Sequence, residues 1–352
     1  MKTIKISAIL AVILSIPPAA LFAQAAPAKN APDKVPATAE APAPAARPQA
    51  AVTPAPGAGE PVKDPFEAAQ EKLKSQDPVL RRQGVKFLAQ SRDPRAVPGL
   101  LGALGDASAP VRQSAIEGLG LLSWREASPK ISALLTKDPD AGVRQQSAIS
   151  LSYLQDPEAG PALIKALSDV SPAVRYAAMR TLGTMRYAPA DGAIAAMLEG
   201  TDTNMLRSAI SALGMIQSTT ALSAITSALA HPEQPVRVEA ARALGDIGDK
   251  SAALELKNHL AGAEDAAMRV ESALALAKMG FKEGLPTARE FLASPDLSLK
   301  NQALNIIVAA GDVESLPVIE EMYAAEADPV VKQMLDFARQ RLGDLKATQK
   351  KK

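Results

Sequence analysis

The sequence predicts an all-α solenoid of about nine helical hairpins, and three observations lead to this prediction. A phrase built on Val-Arg recurs, as in "APVRQSAIEGLG" at 109–120 and "QPVRVEAARALG" at 234–245. Equivalents of its arginine, which we call anchors, return every 31 or 32 residues. Apolar residues around each anchor follow a helical spacing rather than the alternation of a strand. Such a period is typical of stacked repeats, because one hairpin cannot bury both of its apolar flanks. The anchors are Arg81, Arg112, Arg144, Arg175, Leu206, Arg237, Arg269, Lys300 and Lys332.

Residues 1–25 predict a secretory signal peptide. Two lysines precede an apolar run at 6–16, and Ala-Gln-Ala at 23–25 provides a small-residue cleavage pattern. Two prolines end the run before it reaches the roughly 17 to 25 residues that a membrane span needs. We therefore expect a periplasmic or secreted protein whose mature chain is not inserted in a membrane.

Composition divides the rest of the chain into three segments. Residues 26–63 are rich in Ala and Pro and predict a disordered linker, residues 64–345 form the repeat domain, and residues 346–352 form a basic tail. The formal net charge is +1, which gives no general attraction for nucleic acid. The absence of cysteine from the sequence excludes disulfides, thiolate metal sites and thiol nucleophiles.

Each period divides into two helices. The second helix carries the anchor on a stripe of apolar residues, as Val111, Ala115 and Leu119 show around Arg112. The first helix is represented by the sequence "AVPGLLGAL" at 96–104. Its proline lies in the first turn, where a missing N–H is tolerated. A residue four positions before each anchor is placed to cap the second helix. These predicted N-caps are Asp77, Ser108, Asp140, Ser171, Asp202, Glu233, Asp265, Asp296 and Asp328.

The pattern x-A-V-P-x-L-x-x-A-L-x-D followed by V-R-x-x-A-x-x-x-L-G resembles HEAT repeats of the phycobilisome-lyase-like kind over residues 66–342. The resemblance implies a right-handed α-solenoid of HEAT-like hairpins, with the anchor helices lining its concave side. It also implies an Asp–Arg ladder between repeats, built from an aspartate six residues before the anchor. Asp106, Asp138 and Asp169 match this ladder.

The later repeats depart from the ladder. Gly200, His231, Ala263 and Ser294 stand where the aspartate is expected, and Leu206 replaces one arginine. A continuous ladder is therefore not expected beyond the fourth repeat.

Relatives implied by the resemblance include enzymes that attach or remove bilins, and a hydroxylase that binds iron through His-Glu pairs. This sequence contains no His-Glu dipeptide: of its two histidines, His231 is followed by Pro232 and His259 stands alone in "KNHLAG". No serine has a histidine in a plausible partner role, as a nucleophile–base pair requires. We therefore predict no catalytic residue, no cofactor and no metal site, and we expect a protein that is not an enzyme.

Two surfaces are predicted to bind a partner. Positions two, five and nine residues after the anchor should face the concave groove if the apolar stripe faces the core. Apolar residues on a surface expected to be wet indicate binding, whereas a helix phase wrong by one residue would make them core. We call the residues at these positions the groove face: Leu121, Gln146, Ile149, Tyr153, Arg180 and Met215.

The second surface lies twelve residues after the anchor, in the loop between hairpins. Asp is the usual turn residue at this position, but Trp124, Tyr187 and Phe281 replace it, each beside a basic residue. These aromatics, which we call the loop ridge, either contact a partner or pack beneath neighbouring loops.

The preferred hypothesis is a monomeric, non-catalytic scaffold that holds a polypeptide of unknown identity in its groove. The alternative is an enzyme of the bilin-lyase type that uses the groove as a ligand pocket. Nucleic acid is not expected as a partner.

Overall fold

The computed structural model describes residues 64–200, 202–260 and 265–349, all of which belong to one compact unit, Pro61–Lys352. These residues form eighteen α-helices, without a strand in the described ranges, and the helices pair into nine hairpins. The first helices of the hairpins are α1 (Pro65–Lys72), α3 (Val97–Ala103), α5 (Ser128–Lys137), α7 (Gly160–Ala166), α9 (Asp191–Ala195), α11 (Leu222–Ser227), α13 (Ala253–Asn258), α15 (Leu285–Leu292) and α17 (Leu316–Ala325). The second helices are α2 (Pro78–Ser91), α4 (Ala109–Leu121), α6 (Ala141–Leu154), α8 (Pro172–Thr184), α10 (Thr203–Ile216), α12 (Gln234–Ile247), α14 (Ala266–Lys278), α16 (Leu297–Ala309) and α18 (Pro329–Gln349). The predicted α-solenoid is confirmed.

The predicted N-caps lie where the second helices begin, but they act in different ways. Six aspartates accept hydrogen bonds from backbone N–H groups of the first turn. Ser108, Ser171 and Glu233 hold the capping backbone conformation without a side-chain hydrogen bond. The capping aspartates are Asp77, Asp140, Asp202, Asp265, Asp296 and Asp328.

The apolar stripe of each second helix faces the interior. Val111, Ala115 and Leu119 are each at most 1% exposed. The core is continuous from Phe66 to Met279, and a second core cluster follows from Val270 to Leu342. Helix α14 contributes to both clusters, as expected for a hairpin that has two apolar flanks.

Successive second helices approach closely through small residues. A Cβ atom added to Gly214 of α10 would lie 2.8 Å from Ala243 Cα in α12, and one added to Gly245 of α12 would lie 2.7 Å from Ala275 Cα in α14. These glycines lie eight residues after the anchor and face the next repeat. Glycine is therefore required here by the distance between the helices rather than by backbone conformation.

After each of the second helices from α2 to α16, the turn contains a residue with positive φ, in the left-handed backbone conformation. It lies eleven residues after the anchor in every case, and glycine occupies the position only in the last three of these repeats. The hairpins therefore share one connection geometry, although sequence in the first five repeats does not indicate it. The residues are Arg92, Ser123, Gln155, Arg186, Gln217, Gly248, Gly280 and Gly311.

The Asp–Arg ladder joins the first four hairpins. Arg81 Nε and Nη2 donate to the carboxylate of Asp106 at 2.6 and 2.8 Å, and Arg144 binds Asp169 in the same way at 2.7 and 2.9 Å. Each aspartate also accepts from the backbone N–H two residues later, at 2.8 Å in the case of Asp106 and Ser108. Each rung thus fixes a helix of one hairpin to the turn of the next.

The rungs are largely shielded from water, and the hydrogen bonds within them shift the pKa values of several of their groups. The hydrogen bond from Arg81 lowers the pKa of Asp106, against the effect of burial, and the hydrogen bond from Arg144 lowers the pKa of Asp169. The hydrogen bond to Asp138 raises the pKa of Arg112. The ion pairs therefore favour the charged forms of Asp106, Asp169 and Arg112.

The described residues cover the predicted terminal segments only in part. The predicted signal peptide and linker, residues 1–63, lie outside the described residues. Helix α18 continues to Gln349, so residues 346–349 of the predicted tail are helical. Within the described residues, no helix combines the length and the apolar character needed to cross a membrane.

Candidate functional site

The groove face lies on the exposed side of α4, α6, α8 and α10. Leu121 is 58% exposed, Tyr153 54% and Met215 39%, so these three apolar side chains are not core. They occupy equivalent positions, nine residues after the anchors of their repeats. Because α4 packs on α6, Leu121 and Tyr153 lie on neighbouring helices, whereas the polar Thr184 of α8 stands between Tyr153 and Met215.

Met215 shows how the side chains of this surface lean on the preceding helix. A Cβ atom added to Gly183 of α8 would lie 3.2 Å from Met215 Sδ. The glycine thus leaves the space that the methionine occupies. A flexible thioether in this position can adjust to the shape of an apolar ligand.

The other members of the groove face differ in exposure. Ile149 is half-buried, and Gln146 is half-buried with its amide donating to Ser150 Oγ at 3.3 Å. Arg180 is exposed and forms no ion pair with a described residue. Thr184, which the sequence interpretation omitted, lies nine residues after its anchor and supplies a hydroxyl beside Arg180.

Towards α12 and α14 the same side of the second helices is charged and internally paired. Arg242 contacts Glu239 in its own helix and Glu271 in the next, each at 3.1 Å. Burial alone would lower the pKa of Arg242, but attraction to Glu271 and Glu239 outweighs it and raises the pKa. Lys278 Nζ pairs with Asp246 at 2.7 Å. Because these cations are already neutralised, Arg180 is the better site for an anionic group of a ligand.

The loop-ridge residues Trp124, Tyr187 and Phe281 are half-buried and pack against the core. Tyr187 covers Gly160 so closely that an added Cβ atom would lie 2.1 Å from its ring. Phe281 lies beneath Lys257 Nζ, 4.8 Å from the ring centre. The aromatics therefore pack against neighbouring parts of the fold, and partner binding at the loop ridge stays a prediction.

The structure gives one histidine a structural role. His231 Nδ1 accepts a hydrogen bond from the backbone N–H of Glu233 at 3.1 Å, as the ladder aspartates do in their own turns. Within the described ranges, no group of three or more His, Cys, Asp or Glu side chains is arranged to hold a metal ion.

Comparison with family models identifies the repeats. The model for HEAT repeats matches residues 37–120, 66–152, 128–199, 190–263 and 253–335. The chain belongs to the HEAT-repeat family. The predicted resemblance to phycobilisome-lyase-like HEAT proteins is confirmed.

Two curated relatives of this HEAT-repeat protein have related names. It is 31% identical over 191 residues to the phycocyanobilin lyase subunit alpha of Nostoc sp., a match that covers 51% of this chain and 60% of that protein. It is 34% identical over 107 residues to the phycocyanobilin lyase subunit beta of Thermosynechococcus vestitus, covering 30% of this chain and 49% of that protein. The chain thus spans less than two thirds of either relative.

A solved structure is also similar to this HEAT-repeat protein. It is the complex of CpcE and CpcF of phycocyanin lyase from Nostoc sp. PCC7120. The sequence identity is 25%, the TM-score is 0.42, and the match covers 74% of this chain and 99% of that chain.

These relatives overturn two expectations from the sequence. The expectation of a protein that is not an enzyme is wrong, since relatives named as lyase subunits point to an enzyme-like function. The expectation of a periplasmic or secreted protein is wrong, because the phycocyanobilin lyase homologues act in the cyanobacterial cytoplasm. Sequence reasoning failed on the first point because it looked for a familiar catalytic pair, and the groove face contains none.

Proposed function

We propose that this HEAT-repeat protein has a bilin-lyase-related role and holds a linear tetrapyrrole on its groove face. The observation that carries the proposal is the guanidinium of Arg180, which has no acidic partner among the described residues and lies beside exposed apolar side chains, in a chain similar to phycocyanobilin lyase subunits.

The chemistry of the surface suits such a ligand. A bilin has a long conjugated apolar body and ionised propionate groups. Leu121, Tyr153 and Met215 offer apolar and aromatic contact for the body. Arg180 can bind a propionate through two parallel hydrogen bonds, which are stronger than those between neutral groups.

A polypeptide partner is part of the proposal. The relatives are named as alpha and beta subunits, which supports a role alongside a second protein. Such a partner would cover a bilin that lies on an open surface and would exclude water from it. The identity of the partner and the monomeric state of this chain alone remain predictions.

Titration of the purified protein with phycocyanobilin, followed by absorption, tests the proposal. We expect saturable binding by the wild type and an affinity at least roughly tenfold lower for Arg180→Gln, the loss expected for one charge-assisted hydrogen bond. The matched control is Arg186→Gln in the loop after α8. Glutamine already occupies the equivalent position after α6 and α10, as Gln155 and Gln217.

A second variant tests the apolar part of the surface. Tyr153→Ala combined with Met215→Ala removes two exposed side chains, so it should weaken bilin binding while leaving the unfolding transition unchanged. Equal affinities of the wild type, Arg180→Gln and this double variant would contradict the proposal.

A further inference from the structure

We propose that Arg175, at the end of the Asp–Arg ladder, is a binding site for a carboxylate group supplied from outside the chain. The site lies where α8 begins. The ladder would place an aspartate at position 200 to pair with Arg175, but this sequence has Gly200 there, and the external carboxylate would take the place of that aspartate.

The guanidinium of Arg175 is held as it is in the filled rungs. Its Nη1 donates to the backbone oxygens of Asp169 and Val170 at 2.9 and 3.3 Å. Arg144 makes the same pair of bonds to Asp138 and Pro139 at 3.0 and 3.2 Å. In Arg144 the remaining edge, Nε and Nη2, carries the carboxylate of Asp169. In Arg175 the same edge has no acidic partner among the described residues.

The nearest acid after Gly200 does not fill the position. The carboxylate of Asp202 caps α10 by accepting from the N–H groups of Asn204 and Met205 at 3.0 and 3.1 Å. It also accepts from the hydroxyl of Tyr176 at 3.3 Å.

In the repeats after Arg175, the ladder arginine is either absent or has a different acidic partner. Leu206 removes the arginine itself, and His231 replaces the aspartate that would have paired with it. Arg237 lies 3.7 Å from Asp265, and Arg269 pairs with Glu290 instead of a ladder aspartate. Arg175 is thus the ladder arginine that retains its position while lacking an acid in the described part of the chain.

The chemistry of the ligand follows from the filled rungs. In three repeats this edge of the guanidinium binds a carboxylate through two hydrogen bonds of 2.6 to 2.9 Å. The planar, bidentate geometry suits a carboxylate of an acidic side chain or of a small ligand. The ligand would extend the ladder by one rung.

Titration with sodium acetate, against sodium chloride at equal ionic strength, tests the site directly. The side-chain Nε signals of ¹⁵N-labelled arginines are followed by NMR. The Arg175 signal is assigned as the one that is missing in Arg175→Lys. We expect a saturable shift of the Arg175 signal with acetate and no shift of Arg144. In Gly200→Asp the internal carboxylate should produce the shift without acetate, and acetate should add nothing.

The variant is suited to the backbone. Gly200 has an extended conformation, with φ −74° and ψ 159°, and an added Cβ atom would lie 3.4 Å from its nearest neighbour, Met197 O. Gly192→Asp is the matched control, because it adds the same charge where an added Cβ atom meets nothing within 4 Å. The site would be overturned by an acetate response that is linear in concentration, by an equal response to chloride, or by a further response to acetate in Gly200→Asp.

Two further probes identify the source of the carboxylate. Binding of phycocyanobilin and of a hexaglutamate peptide is measured for the wild type and Gly200→Asp. If Gly200→Asp binds phycocyanobilin roughly tenfold more weakly than the wild type does, the site binds a propionate. If it binds the hexaglutamate peptide roughly tenfold more weakly, the site binds an acidic side chain. Equal affinities of the two proteins for both probes would contradict a ligand-binding role for Arg175. The acetate titration contains no bilin, so its result is independent of the function proposed for the groove face.

Discussion

Arg112 and Asp138 belong to successive hairpins and are joined by two hydrogen bonds of 2.8 Å, from Nε and Nη2 to the two carboxylate oxygens. Their side chains are only 11% and 3% exposed. The pair shows how the hairpins are fixed to one another beyond their apolar contacts. If the arginine were removed, the buried carboxylate would still carry the free-energy cost of desolvation, without the attraction that offsets it.

Arg112→Met should therefore lower the free energy of unfolding by about 3 kcal/mol, as expected when one partner of a buried ion pair is removed. Urea unfolding followed by circular dichroism measures the change. Arg125→Met is the control, because Arg125 is 59% exposed and lies 3.5 Å from Asp156. The control should lose less than about 1 kcal/mol. Similar losses in the two variants would mean that the rungs contribute little.

Gly200→Asp should complete a fourth rung and raise the free energy of unfolding by about 1 kcal/mol, since it adds hydrogen bonds to a charged group. A double-mutant cycle with Arg175→Gln separates this gain from the effect of glycine on the unfolded chain. We expect the gain to disappear in the Arg175→Gln background. A gain of the same size in both backgrounds would exclude the rung.

Gly214→Ala and Gly102→Ala should have effects of opposite sign. An added methyl at Gly214 would push against Ala243 and should cost about 1 to 3 kcal/mol, as overpacking does. Gly102 lies in α3, where an added Cβ atom meets nothing within 4 Å, so alanine should stabilise that helix by roughly 0.5 to 1 kcal/mol. Thermal unfolding of both variants checks the comparison. A stabilised Gly214→Ala would show that the helices have room to separate.

The left-handed position after each second helix gives another pair of opposite effects. Gly248 has φ +76°, so Gly248→Ala should cost about 1 kcal/mol. Arg186 has φ 49°, and Arg186→Gly should relieve a similar strain, offset by the greater freedom of glycine in the unfolded chain. The predicted order of melting temperatures is Arg186→Gly at or above the wild type, and Gly248→Ala below it. The reverse order would contradict a shared connection geometry.

Acid should weaken the ladder. The pKa values of Asp106 and Asp169 are lower in the folded protein because of their arginine partners. Their contribution to stability is therefore complete above the unfolded value of about 3.9 and is lost as the pH falls through the lower folded values. The wild type should lose more stability than Arg81→Gln between pH 5 and the acid limit of folding. Parallel pH profiles of the two proteins would contradict this linkage.

The sequence predicted those features that repeat with the anchor. The buried stripe of Val111, Ala115 and Leu119 follows from helical spacing, and the rungs at Asp106, Asp138 and Asp169 follow from the family resemblance. Each of these features depends on residue types that recur at fixed positions, so the repeats reinforce one another.

Features that depend on three-dimensional packing were not predictable in the same way. The left-handed position of the turn is occupied by arginine, serine or glutamine in five repeats, and none of these residues indicates a positive φ. The position of Tyr187 over Gly160 joins residues of successive repeats. The exposure of Tyr153 and Met215 depended on the helix phase, which the sequence left open. The ligand class that we propose came from the names of the relatives, because an apolar surface with one arginine does not distinguish a pigment from a peptide.

Methyl NMR of the methionines tests the central claim, a bilin on the groove face, most directly. The conjugated rings of a bound bilin would shift the methyl signal of an adjacent side chain. On addition of phycocyanobilin we expect a saturable shift of Met215, assigned by Met215→Leu, with the buried Met179 and Met268 unchanged. Saturation of the protein with the bilin without any shift of Met215 would contradict the claim.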